Sequence, residues 1–102
     1  MSQYLLNGKL TAKPGHQEAL AEILLQASQL VATAKGCRLY VIGTDKADRH
    51  SVYITEIWDS KADHDQSLNV AGVRELIAKA MPLLEGPPSK GQEQEIIGGA
   101  GI

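Results

Sequence analysis

Leu20, Ile23, Leu24, Ala27, Leu30, Val31 and Ala34 fall on one stripe at helical spacing, while the stretches on either side alternate with the two-residue period of strands. This switch of period constrains the chain more than any other feature, because one amphipathic helix must bury its stripe against the sheet its neighbours form. The helix is expected over His16–Ala34, with Gly36 as the residue just past its end, where positive φ costs glycine least. Ahead of it, Tyr4–Ala12 (YLLNGKLTA) reads as a strand with Leu6, Gly8, Leu10 and Ala12 on one face and Leu5, Asn7, Lys9 and Thr11 on the other. Lys13-Pro14-Gly15 breaks that pattern. Behind it, Cys37–Thr44 (CRLYVIGT) and Ser51–Trp58 (SVYITEIW) are rich in strand formers. The polar turn Asp45–His50 between them makes an antiparallel hairpin. Val52, Ile54, Glu56 and Trp58 share one face of the third strand; Tyr53, Thr55 and Ile57 share the other.

Ser60-Lys61-Ala62-Asp63 has the form of a capping box, with Ser60 as N-cap, and a short helix is expected to about Leu68. Val73, Leu76, Ile77 and Ala80 mark a second helical piece that stops before Pro82. Gly86-Pro87-Pro88 forces a turn, and Gln92–Ile97 (QEQEII) is read as a last strand. The tail GGAGI has no core-forming pattern and either hangs loose or lies on a partner. The order β-α-β-β-α-β predicts an α+β, ferredoxin-like split βαββαβ fold, with residues 1–102 as one domain. Four antiparallel strands would carry helices on one face. The other face also bears apolar groups, and a second copy of the sheet is the simplest cover, so a homodimer is expected.

Charge and motif content narrow the chemistry. The formal net charge is −2, no basic stripe stands out, and aromatics are 4% with no Phe, so the sequence offers nucleic acid neither an electrostatic footprint nor a stacking platform. Cys37 is the single cysteine and has no intramolecular disulfide partner. The N-terminus lacks the charged, apolar and small-residue order of a signal peptide, and no apolar run approaches the ~20 residues that cross a bilayer. A cytoplasmic protein that binds no membrane is expected. His16, His50 and His64 form no HxH or HExxH pattern, Cys37 has no CxxC partner, the glycines make no phosphate loop, and there is no GxSxG elbow. No metal and no cofactor is expected.

What remains is a group of polar and aromatic residues around the third strand and second helix. Trp58 is large and apolar with one N–H donor, so it suits a flat, oxygen-bearing ligand as well as a core or a subunit interface. His64 lies in the helical row Lys61–His64–Leu68–Ala71, which should look toward the sheet. Its imidazole suits a base near neutral pH, or a plain hydrogen bond to backbone or Asp63. Ser67, one turn on, suits a donor to a ligand oxygen or a helix surface. Arg74 suits a developing oxyanion or a surface ion pair with Asp65 or Glu75. Asn7, Tyr40 and Tyr53 suit a pocket lining or a strand edge.

KPGHQEAL, then GCRLY after the helix, then YITEIWDSKAD together resemble the antibiotic biosynthesis monooxygenase (ABM) family from Leu5 to about Pro88. The shared pattern is Pro-Gly before the first helix, Gly-Cys-x-x-Tyr entering strand two, and Glu-x-Trp-x-Ser before the second helix. The resemblance implies a dimeric α/β barrel with a pocket between sheet and helices. It also implies kinship with cofactor-free oxygenases that turn phenols or quinols into quinones, the protein stabilising a substrate anion in a dry cavity. Trp58 matches the pocket tryptophan of the polyketide-oxidising members. Where those have a tyrosine six residues on, this chain has His64; where many members have a histidine nine residues on, it has Ser67. Arg74 stands near an arginine that they use. The haem-degrading branch fits poorly, since it needs a tryptophan at Ser67 and an axial histidine at Ile77.

The expected function is therefore a cofactor-independent monooxygenase acting on a small phenolic or quinol-like compound and O2. His64, Trp58 and Arg74 would be catalytic, with Ser67, Asn7 and Tyr53 binding substrate. An isomerase or degradative enzyme for a small oxygenated metabolite, or a non-catalytic dimeric ligand-binding protein, would use the same fold.

Overall fold

The alternating stretches and the helical stripe form two layers in the computed structural model, which describes residues 3–88 and 91–101. Ile102, the end of the GGAGI tail, lies outside the described residues. The elements run β1 (Gln3–Thr11), α1 (Gln17–Val31), β2 (Cys37–Asp45), β3 (Asp48–Trp58), α2 (Lys61–Gln66), α3 (Val73–Ala80) and β4 (Gln92–Ile96). Short 3₁₀ turns at Ser67–Asn69 and Met81–Leu83 follow α2 and α3. The sheet order is β2-β3-β1-β4, and every neighbouring pair is antiparallel. This is the ferredoxin-like arrangement, with the helices on one face.

Register sets which side chains meet. Tyr4 pairs with Trp58, Leu6 with Glu56, Gly8 with Ile54 and Leu10 with Val52. Across the hairpin, Tyr40 pairs with Glu56 and Ile42 with Ile54. All of these point to the helix side, because side chains two apart share a face. Beneath the helices, Ala12, Leu20, Leu24, Val52, Ala80 and Leu84 form one buried cluster, and Tyr4, Val31, Trp58 and Val73 form a second.

Several boundaries differ from expectation by one to three residues. His16 precedes α1 rather than opening it. The helix ends at Val31, not Ala34, because the amides of Thr33 and Ala34 bond three residues back and the Thr33 hydroxyl takes the Leu30 carbonyl at 2.7 Å. Gly36 does hold a left-handed φ of +82°, but in the following turn, where its carbonyl accepts the Asp59 amide at 2.8 Å. The hairpin turn shrinks to Lys46-Ala47, since the Asp45 carboxylate accepts the Ala47 amide at 2.8 Å and β3 begins at Asp48. β4 ends at Ile96, leaving Ile97 fully exposed.

The start of α2 follows the capping reading. Ser60 is extended and its hydroxyl accepts the Asp63 amide at 3.1 Å, a contact typically worth about 1 kcal/mol. Asp63 itself lies against Gly36, at a place where any Cβ would overlap its carboxylate. Glycine there lets the α1–β2 turn lie close against the first turn of α2.

Candidate functional site

Glu56 and Trp58, two apart on β3, both face the helices, and both are buried. The Trp58 indole Nε1–H donates to Glu56 Oε1 at 3.0 Å. His64 comes down from the last turn of the short α2, with Nε2 3.7 Å from the same Glu56 oxygen and Nδ1 3.0 Å from Asp65 Oδ1. The imidazole packs at 5.4 Å from the Tyr4 ring and stands edge-on to Trp58 at 5.9 Å. A quarter of its side chain still meets solvent, so it sits at the rim of the buried group.

The electrostatics follow from burial. Glu56 is a carboxylate withdrawn from water, and this pushes its pKa up; the Trp58 donor and then the neighbouring His64 pull it partly back. Its charge in turn disfavours other anions close by. Burial first, then Glu93 and Glu56, push the Tyr4 phenol up to about 12. Burial followed by Glu56 raises the Tyr40 phenol and the Cys37 thiol. The result is one proton-accepting carboxylate ringed by groups held neutral, with an imidazole beside it. A carboxyl tuned upward by desolvation next to a histidine is a pairing suited to general acid–base chemistry.

The structure brings together only part of the expected set. Trp58 and His64 meet, as described. Ser67 is buried nearby, but its hydroxyl donates to the His64 carbonyl at 2.6 Å and so completes a helix turn. Arg74 is exposed on α3, and its guanidinium donates to Asn69 Oδ1 at 3.2 Å rather than pairing with Asp65 or Glu75. Asn7 and Tyr53 do not join the cluster: strand alternation puts them on the opposite sheet face. There Asn7 Oδ1 accepts the Thr55 hydroxyl at 3.1 Å and the Tyr53 hydroxyl donates to Asp48 at 3.1 Å. The histidine bonds to Asp65, not Asp63. Lys61, Leu68 and Ala71, the rest of its helical row, are exposed.

Glu56 is not among the residues the sequence singles out as a candidate, although its position signals burial. A glutamate between Ile54 and Trp58 on the apolar parity of a strand has to be buried, and a buried carboxylate needs a partner. Tyr4 shares that parity with Leu6. Among the described residues, no three His, Cys, Asp or Glu converge in a metal-holding arrangement, and no helix is long and apolar enough to cross a membrane.

The family model for antibiotic biosynthesis monooxygenases (ABM) matches residues 3–79. The chain belongs to this family. A solved structure from Chloroflexus aurantiacus J-10-fl, described as a candidate antibiotic biosynthesis monooxygenase, is 37% identical, with 99% of each chain covered and a TM-score of 0.87. A protein of unknown function from Nitrosomonas europaea is 25% identical over 97% of this chain and 93% of its own, with a TM-score of 0.80. A Mycobacterium tuberculosis structure shares the fold at 17% identity and a TM-score of 0.84, with 97% of this chain and 99% of its own covered. None of the curated proteins matches the chain significantly. In this ABM chain, the Glu-x-Trp-x-Ser string divides into a buried acceptor, its indole donor, and the cap that starts the helix carrying His64.

Proposed function

We propose that this protein is a cofactor-independent monooxygenase that oxidises a small phenol or quinol beside Trp58. The observation that carries the reading is the buried Glu56 carboxylate, bonded to the Trp58 indole and faced by His64. The Glu56–His64 pair accepts the phenolic proton, leaving an electron-rich phenolate in an apolar surround. The phenolate supplies the electrons that reduce O2. One oxygen atom bonds to the ring carbon, the ring hydrogen is lost, and the second oxygen leaves as water, so that a phenol and O2 give a quinone and water, and a quinol and O2 give a hydroxyquinone and water. Burial of Glu56, with His64 at its rim, limits the access of bulk water to the proton transfer.

Oxygen uptake with a panel of hydroquinones tests this. Wild type is expected to exceed the background rate on at least one compound, and His64→Ala to lose about a hundredfold of that rate. Background uptake by both proteins on every compound would remove the reading. Full turnover under strict anaerobiosis would replace it with an isomerase or degradative activity.

The same proposal includes a homodimer. Leu39 and Val41 of β2 stand exposed on the sheet face away from the helices, at 36% and 50% of their full area. On that face the tail residues Gly98–Ala100 border a groove with Leu5 and Ile57. Sedimentation equilibrium at micromolar concentration is expected to give a dimer, and Val41→Arg to shift it toward monomer. A clean monomer for wild type would overturn this part.

A further inference from the structure

The helix-side surface of β1 has a polar end and an apolar end. Leu6 pairs with Glu56 at one end; Leu10 pairs with Val52 at the other. Gly8 lies between them on the same face. A Cβ built at Gly8 meets no heavy atom within 4 Å, so the middle of this strand floors an open space that a larger residue would occupy. Beyond it, Leu10, Leu24, Leu76, Ala80, Met81 and Leu84 are among the lining of a partly enclosed cavity of about 200 Å³ beneath α3. Every residue lining that cavity is apolar. Ile77 and Met81, at its rim, are 41% and 48% exposed.

Wholly apolar cavities do not hold water well; one of about 150 Å³ stays dry and admits benzene. By that scale this cavity accommodates about eight carbons. No polar side chain in it could orient a second polar group, so its complement is a hydrocarbon chain rather than a further ring oxygen.

We propose that the site takes an amphipathic phenol or quinol, with its ring at Glu56 and His64 and an alkyl tail of about eight carbons running over Gly8 into the cavity under α3. This rests on the reading of Glu56 and His64 as the phenol-binding end. The tail makes no contact with the reacting atoms. Its burial supplies affinity and places the ring.

Calorimetric titration of the wild-type protein under nitrogen, with hydroquinone and its 2-propyl, 2-hexyl, 2-octyl and 2-dodecyl derivatives, tests the tail separately from the chemistry. Kd is expected to fall roughly fourfold per added methylene up to about octyl, then level off. Gly8→Val, and separately Ala80→Phe, are expected to flatten the series while keeping the wild-type circular dichroism spectrum. Equal affinity across the series for wild type would overturn the inference. So would a gain that continues unchanged to dodecyl, or one that survives in both folded variants, since either marks non-specific adsorption. Oxygen uptake on the same compounds is read independently: tail-dependent binding without uptake keeps this site and removes the monooxygenase reading.

Discussion

Glu56→Gln is expected to cost about a hundredfold or more in oxygen uptake while making the folded protein more resistant to heat above neutral pH. Both effects come from the same burial. In the folded chain, desolvation raises the Glu56 pKa above its unfolded value. The folded state therefore holds this proton more tightly than the unfolded state does. The stability associated with the neutral carboxyl is present in acid and is lost as pH rises through the raised folded value. Glutamine stays neutral throughout, and its carbonyl oxygen still accepts the Trp58 indole. Melting curves of the two proteins should coincide in acid and separate at pH 8, with the variant higher. The wild-type rate should rise with pH along a limb set by the raised carboxyl, and the variant should lack that limb. A variant less stable than wild type at every pH would show that the ionised carboxylate holds the fold together, and would overturn this account of the site.

Trp58→Ala is expected to be the most destabilising single change discussed, by about 3–5 kcal/mol in denaturant unfolding. Trp58 has no exposed surface, and it anchors the cluster with Tyr4, Val31 and Val73. Against a typical stability of about 5–15 kcal/mol for a whole domain, that loss is large. Trp58→Phe separates volume from hydrogen bonding. It fills most of the space but removes the N–H that lowers the Glu56 pKa. Its unfolding midpoint should fall less than that of the alanine variant, and the carboxyl limb of its pH–rate profile should move to higher pH. An unmoved limb in the phenylalanine variant would mean that the indole N–H does not tune Glu56.

The features legible in the sequence were those carried by periodicity. The α1 stripe, the alternation of β1 and β3, and the Ser60 cap all depend on near neighbours along the chain, and all are present in the fold. The candidate site was only half legible, because residue type was weighed apart from parity. Asn7 and Tyr53 attracted notice as polar groups, yet their own alternation had already set them opposite Leu6 and Trp58. Glu56 is legible from the sequence as sharing the face of Val52, Ile54 and Trp58, yet no role follows for it until its burial and partners are seen. Arg74 could not be placed by spacing, because the 3₁₀ turn at Ser67–Asn69 and the Gly72 break change the direction of the helix between His64 and α3. Residue pairs such as Tyr4 with Trp58 depend on strand order, which no local pattern records.

Trp58 is the only tryptophan in the chain, and its ring nitrogen is bonded to the carboxylate on which the proposed chemistry turns. The protein thus has a built-in optical reporter. Its ultraviolet emission comes from a single indole whose immediate electrostatic neighbour gains or loses a charge with Glu56. Protonation of that one residue, or arrival of an aromatic ligand beside it, can be followed in the unmodified protein by emission wavelength and intensity, with no added label.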